Sequence, residues 1–411
     1  MKKKLFFTVT NDLVYDQRMI RICGSLSAAG YDVTLVGRRN KYAPPLGAQP
    51  FHQHRLRTWF RRGKGFYIEY NLRLFFFLLT KKMSAVCAID LDTILPCYFV
   101  SRIRHIPRLY DAHELFCEMQ EVVSRPAIYR IWKAIERFCV PKFPIGYTVN
   151  DLIADEFFKR YGVSYAVIRN APVLRSEPSP SDGNLHPPAS SPPPSGTRTP
   201  SLPATPTPSS SGNRTVSSPA TPPLPAGRYI LYQGAVNEGR CFESLIPAMQ
   251  TVDAPLLICG EGNFMEQART LVRQYGLEDK VIFRGMVRPE DLPPITRSAY
   301  IGITLFDRQG TSNYYSLANR FFDYIHAGIP QLAVNYPAYR EINNSYRIAV
   351  LVDEPGIREI SDALNTLLNN TELYHTLLAN CEQARLYYNW QEEEKKLVRL
   401  YHQHFCPQLF N

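Results

Sequence analysis

Short runs of aliphatic, β-branched and aromatic residues recur along the chain, each followed by a polar turn and then by a stretch with helical spacing. This alternation constrains the fold more than any single residue does, because strand–helix–strand units assemble into parallel, doubly wound sheets. Residues 4–10 read as the first strand and 11–16 as a polar loop. Residues 18–29 read as a helix with Met19, Ile22, Cys23 and Leu26 inward; Gly30 stops it, and 31–37 form the next strand. Further strands are expected at 85–89, 107–110, 145–150 and 166–170, then at 228–234, 254–259, 281–285, 300–305, 331–334 and 350–352. The fold class is α/β, with two Rossmann-like domains. No Gly-x-Gly-x-x-Gly follows the first strand, which argues against a dinucleotide fingerprint.

Composition divides this series. Residues 176–226 hold nearly half of the 33 prolines, many Ser, Thr and Ala, and almost no large apolar side chain. Such a stretch cannot bury enough surface to offset its ordering entropy, so a disordered linker insertion is expected there. It separates a first domain at 1–175 from a second at 227–385, with a terminal helix at 386–411. At 411 residues the chain is long enough for two full cores. A net charge of +10 calls for an anionic partner. The charges are dispersed and no recognition motif interleaves them, so nucleic acid is not expected. Nine cysteines without C-x-x-C spacing read as free thiols in a reducing, cytoplasmic setting. The apolar run at 5–10 is too short for a signal-peptide core, and no window of about 20 apolar residues predicts a membrane span.

Three stretches gather chemistry. Residues 310–330 read as a loop carrying Asn313, Tyr314 and Tyr315, then a helix with Leu317, Phe321, Tyr324 and Ile325 on one buried face, stopped by Gly328 and Pro330. The loop and first turn follow a strand, where open α/β sheets bind ligands, and the free N–H groups of that turn suit a phosphate. Arg320 and Asp323 lie three apart and can face one cleft edge, a cation for a diphosphate and a carboxylate for a ribose diol. Spacing alone favours a plainer reading, a surface loop before a core helix. The second stretch is Asp111-Ala112-His113-Glu114, three ionisable groups in four residues at a strand end, with carboxylates that could orient and polarise the imidazole. The third is an unusually apolar helix at 66–79, flanked by Arg61, Arg62, Lys64, Lys81 and Lys82. It is either a core helix or a face that docks weakly on an anionic bilayer, making the protein peripheral on the cytoplasmic side of the inner membrane.

In order and content these motifs resemble the family 4-like glycosyltransferases (glycosyl transferases group 1) of the GT-B fold, over essentially the whole chain except 176–226 and 42–64. The resemblance rests on the helix ending Gly328-Ile329-Pro330, the Asp-x-His-Glu run, the strand–Gly234–loop–Arg240 segment and the turn Gly260-Glu261-Gly262. It implies two domains facing across a cleft, with the terminal helix crossing back to the first. It implies a nucleotide-sugar donor held in the second domain by Gly234, Arg240, Gly260, Glu261, Gly262, Asn313, Tyr314, Tyr315, Asn319, Arg320 and Asp323. A saccharide or lipid-linked acceptor would meet Asn11, Asp12, Tyr15, Asp16 and Arg18, although a solvated turn and helix cap explains that loop as well. His113, with Asp111 and Glu114, would act at the reacting centre. The resemblance further implies transfer of a sugar to a hydroxyl in polysaccharide or glycolipid synthesis, with retention of configuration and no metal or other cofactor. Two positions depart from the pattern: Tyr315 stands where the family has its first Glu, and Leu245 where it has a Lys. A nucleotide-sugar epimerase of the same fold and a non-catalytic nucleotide-sugar-binding protein are the alternatives.

Overall fold

The computed structural model describes residues 2–40, 43–175 and 222–406. The Pro-rich stretch expected to be disordered lies outside them, apart from 222–226. The first sheet contains β1 (Lys4–Thr8), β2 (Asp32–Arg38), β3 (His52–Leu56), β4 (Ala85–Ile89), β5 (Arg108–Ala112), β6 (Ile145–Thr148) and β7 (Ala166–Val167). Their spatial order is β3-β2-β1-β4-β5-β6-β7. The second contains β8 (Ile230–Gln233), β9 (Leu256–Cys259), β10 (Val281–Gly285), β11 (Ile301–Thr304), β12 (Gln331–Val334) and β13 (Ala349–Val352), in the order β10-β9-β8-β11-β12-β13. Every pairing among these strands is parallel. β4, β8, β9, β11 and β12 are buried along their whole length, as strands covered by helices on both faces must be. The two Rossmann-like sheets expected from the alternation are both present.

Each sheet has a point where the winding reverses, between β1 and β4 in the first and between β8 and β11 in the second. The crevice at such a reversal opens at the carboxyl ends of the strands. The loops that follow β1, β8 and β11 therefore lie where a ligand would and carry Asn11 to Asp16, Gly234 to Arg240 and Asn313 to Tyr315, while the Asp111–Glu114 and Gly260–Gly262 runs follow the next strands, β5 and β9.

Local structure departs from the expected elements in three places. β3 was not anticipated: it reads His-Gln-His-Arg-Leu, only Leu56 of it is buried, and an edge strand carries little hydrophobic signal. β7 spans two residues rather than five, because the chain leaves the sheet edge at once and the Arg169 N–H donates to Glu393 Oε2 at 2.9 Å. A one-turn helix, Thr311–Tyr314, occupies part of the expected loop.

The helix Trp390–Phe405 returns to the first domain. Trp390, Leu397, Tyr401 and Phe405 are buried with Leu5, Phe7 and Ile22 on one face of the first sheet. At the crossing the Trp390 N–H donates to the Pro172 carbonyl at 2.7 Å. The Gln391 side chain pairs with both the N–H and the carbonyl of Leu174, at 2.9 and 2.8 Å.

Candidate functional site

A cleft of about 2290 Å3 lies between the domains. Asn11, Tyr15, Arg21 and His113 line it from the first domain, and Gly234, Glu261, Asn319 and Asp323 from the second.

On the first wall, His113 sits just past the end of β5. Its N–H donates to Asp90 Oδ1 at 3.0 Å, and its Nδ1 lies 3.2 Å from Asp90 Oδ2. Its Nε2 is 3.3 Å from Asp111 Oδ2 but off the line of a good hydrogen bond, so that buried atom has no aligned partner. Burial works against a charged imidazole here, yet the carboxylates of Asp90 and Asp111 outweigh it and raise the pKa well above the usual value. The two carboxylates thus favour the imidazolium form, with Nδ1 facing Asp90 and Nε2 left without an aligned acceptor. Asp111 is fully buried; Arg18 Nη2 donates to it at 2.8 Å, and Arg18 and His113 together more than offset the effect of burial and hold its pKa below the ordinary carboxylate range. Asp90 has a left-handed backbone, φ 55°, at the end of β4, so a strained residue stands at the reversal point of the sheet. Sequence analysis assigned no role to the Asp90-Leu91-Asp92 run. Two carboxylates directly after a strand were the signal that could have found it.

In the second domain Arg240 and Arg320, neither of which lines the cleft, converge on one ring. Their guanidinium carbons lie 4.6 and 4.7 Å from the centre of Phe306, and Arg320 also lies 4.7 Å from that of Tyr232. Arg240 Nη1 donates to Asn313 Oδ1 at 3.1 Å. Arg320 is buried beneath the turn at Gly234, and its Nε has no hydrogen-bond partner. A Cβ at position 234 would come within 3.2 Å of Arg320 Nη1. The turn has to be glycine for a second reason. A Cβ on Gly260 (φ 151°) would sit 1.8 Å from the Gly234 carbonyl oxygen, and one on Gly262 would sit 2.2 Å from that of Val236. The glycines let the loops after β8 and β9 cross in contact. Asp323 lies on the other side of the β8 end, where it accepts from Gln233 Nε2 at 2.8 Å, and Thr296 donates to the Gln233 amide oxygen at 2.7 Å. Burial, opposed chiefly by Arg21, raises the Asp323 carboxyl to about 6. Arg21, which faces Asp323 from the first domain and donates to Asn170, was missed in the sequence although it lies one helical turn beyond Arg18.

Several expected contact residues are engaged elsewhere. Arg18 turns inward to Asp111 and to the Ile168 carbonyl rather than out to an acceptor. Asp12 is buried and paired with Arg55 Nη2 at 2.5 Å. Asp16 caps the helix Gln17–Ala28 by accepting from the Met19 N–H, so the cap reading of that loop holds for it; it still lines the cleft, as do Asn11, Asp12, Tyr15 and Arg18. Tyr315 packs against the core of the first domain and its carbonyl accepts from Asn150 Nδ2 at 2.7 Å; it does not take the place of an acidic group in the donor pocket. Tyr314 packs on Tyr336, 5.0 Å between ring centres. Glu114 lies 3.4 Å from Ser312 Oγ of the second domain, and burial raises its carboxyl to about 7. It is not one of the two carboxylates that hold His113; those are Asp90 and Asp111. Among the described residues no group of three His, Cys, Asp or Glu side chains is arranged to hold a metal ion, no helix is long and apolar enough to cross a membrane, and none of the nine cysteines is paired.

Residues 222–383 match the family described as Glycosyl transferases group 1. No curated protein matches the chain by sequence. Three solved structures are similar over nearly their full length. Sucrose-phosphate synthase from Thermosynechococcus elongatus has a TM-score of 0.71 at 15% identity, covering 99% of this chain and 100% of that one. Anabaena HepE in complex with UDP-glucose has a TM-score of 0.68 at 12% identity, covering 96% and 98%. WaaG, a glycosyltransferase involved in lipopolysaccharide biosynthesis, has a TM-score of 0.65 at 14% identity, covering 96% and 98%.

Proposed function

We propose that this chain, whose residues 222–383 match glycosyl transferases group 1 and whose fold is that of GT-B glycosyltransferase structures, moves a sugar from a nucleoside-diphosphate donor to a hydroxyl acceptor, with retention of configuration, in polysaccharide or glycolipid synthesis. The observation that carries this reading is the pair of arginines against Phe306, one with an unpartnered Nε and packed under Gly234, a residue of the cleft wall that His113 also lines. UDP-glucose and UDP in the HepE complexes support a uridine nucleotide as the first donor to test.

Arg240 and Arg320 take the charge that develops on the diphosphate as its bond to the sugar breaks. Such preorganised cations do without a metal or other cofactor. Asp323, held by Gln233, accepts from the ribose hydroxyls. His113 already carries its proton, so it donates a hydrogen bond to the donor sugar and does not serve as the base that frees the acceptor hydroxyl. Its two carboxylates fix the ring. The acceptor enters past Asn11 and Tyr15. The protein works at the cytoplasmic face of a membrane, which it meets through Ile68, Leu72 and Phe76, three exposed apolar residues on one face of the helix Gly63–Leu79, between basic residues at 61–64 and 81–82.

Two substitutions separate the roles. Arg240→Ala should lose roughly 2–4 kcal/mol of transition-state stabilisation with the fold intact. His113→Ala should lower turnover by about 10²-fold while nucleotide affinity, measured by calorimetry, changes little. Wild-type turnover in the Arg240 variant would remove the donor-site assignment. Donor consumed only as a 2-epimer, with no sugar transferred, would favour the epimerase.

A further inference from the structure

A second cavity, of about 670 Å3, opens beside the cleft at the carboxyl ends of β2 and β3. Its walls carry five arginines: Arg38, Arg39, Arg57, Arg61 and Arg62. Among the described residues Arg39, Arg57, Arg61 and Arg62 form no ion pair, and all four are exposed. Arg38 is fixed. Its Nη2 donates to the Arg61 carbonyl at 2.9 Å and its guanidinium lies 4.3 Å from the centre of the Phe66 ring, while its Nε is buried without a partner. The carboxylate that reaches this cavity, Asp12, is already neutralised by Arg55. The loop that brings in Arg57, Arg61 and Arg62 is also held: the Glu69 carboxylate accepts from the N–H groups of Trp59 and Phe60 at 2.9 Å.

The cavity is not an isolated surface feature. Asp12, Tyr15 and Asn40 line both it and the interdomain cleft, so a molecule seated among the arginines reaches into the cleft toward His113. An excess of guanidinium groups in a concave site, with the local carboxylate already paired, selects a phosphate, which arginine binds through two parallel hydrogen bonds. A neutral sugar would leave several buried or crowded cations without a counter-charge.

We propose that the acceptor carries a phosphate group and that this arginine cavity seats it, presenting the hydroxyl of the same molecule to the donor across Tyr15 and Asn40. The inference rests on the glycosyltransferase reading and adds the chemical class of the acceptor. The phosphate is that of a soluble sugar phosphate; a lipid headgroup phosphate is the other source of the same chemistry, and the vesicle arm below tells the two apart.

The full chain is titrated with glucose 6-phosphate and with glucose, followed by calorimetry and by the fluorescence of Trp59, which at 84% exposure is open to quenching at the cavity mouth. Glucose 6-phosphate should bind and glucose should not. The variant Arg57→Gln/Arg61→Gln/Arg62→Gln should bind the sugar phosphate at least tenfold more weakly with an unchanged melting temperature, since all three side chains are exposed. Arg240→Gln, in the second domain, should bind it like wild type. Equal binding by the triple variant, or equal binding of glucose, overturns the proposal. Loss of binding in Arg240→Gln alone also overturns it, by placing the phosphate in the donor site. A third arm uses phosphatidylglycerol vesicles. If they bind through the three arginines while no soluble sugar phosphate does, the cavity is a lipid contact and the proposal fails. Affinity for a panel of nucleoside diphosphates, measured on the same wild-type protein, reads the donor domain by itself. Diphosphate binding without phosphate selectivity at the cavity sinks this inference alone; no diphosphate binding sinks the glycosyltransferase reading.

Discussion

Three half-buried carboxyls, of which Asp323 lines the cleft, hold their protons above the usual range. Asp92 and Glu114 are each raised to about 7 and Asp323 to about 6, burial being the largest cause in all three. A carboxyl raised in the folded state binds more protons than the unfolded chain between its two pKa values, so it lowers stability as pH rises through that window. His113, also raised, acts with the same sign: its contribution is complete below about 6.5 and is lost above it. Asp111, held below the ordinary range, acts oppositely, with stability present above 3.8 and lost below. The melting temperature should therefore peak near pH 5 and fall toward pH 8. Asp92→Asn removes one raised carboxyl and should flatten that decline, as read from thermal melts at half-unit intervals. A decline as steep as that of wild type would mean that Asp92 ionises freely in the folded protein. At this scale the sequence was half legible. Asp111-Ala112-His113-Glu114 declared itself by position after a strand. The partners that set its charge, Asp90 and Arg18, come from 23 and 93 residues away along the chain, and no local pattern brings them in.

Among the elements, strands and glycine turns were easiest to read and the helix Gly63–Leu79 hardest. A strand buried on both faces needs a continuous apolar run, and a loop crossing with a 1.8 Å clash admits only glycine, so both leave marks in sequence. A helix that is apolar all round leaves no period from which to choose its buried face. In the fold Phe66, Tyr70, Leu74 and Leu78 point to the core, and Ile68, Leu72 and Phe76 face out at 63, 55 and 63% exposure. A stripe of that kind beside Arg61, Arg62, Lys64, Lys81 and Lys82 suits an anionic bilayer, where each basic residue adds about 1 kcal/mol. Leu72→Ser/Phe76→Ser should reduce co-sedimentation with phosphatidylglycerol vesicles by tenfold or more and leave the melting temperature nearly unchanged, because neither side chain packs in the core. Binding by wild type that is equal for neutral and anionic vesicles would remove the electrostatic half of the reading, and full binding by the variant would remove the helix.

The whole molecule is threaded so that its last element belongs to its first domain. The helix Thr371–Tyr387 packs on the second domain, and one residue after the crossing at Asn389 the chain enters the core of the first, where Leu397 and Tyr401 are fully buried. Removing helix contacts should therefore weaken the first domain and spare the second. Leu397→Ala deletes a fully buried side chain and should cost about 2–5 kcal/mol there. The tryptophans make the difference observable. All three tryptophans belong to the first domain and two of them, Trp132 and Trp390, pack there, so fluorescence follows its unfolding, whereas far-ultraviolet circular dichroism follows both domains. In denaturant the fluorescence midpoint of the variant should move down while the circular dichroism becomes biphasic, its second phase at the wild-type position. On the proposed function, a nucleoside diphosphate should move that second phase up by stabilising the second domain. If both probes instead shift together as one transition, the contacts of Trp390, Gln391 and Glu393 with 169–174 couple the domains into a single cooperative unit, and the crossing is a rigid joint instead of a hinge.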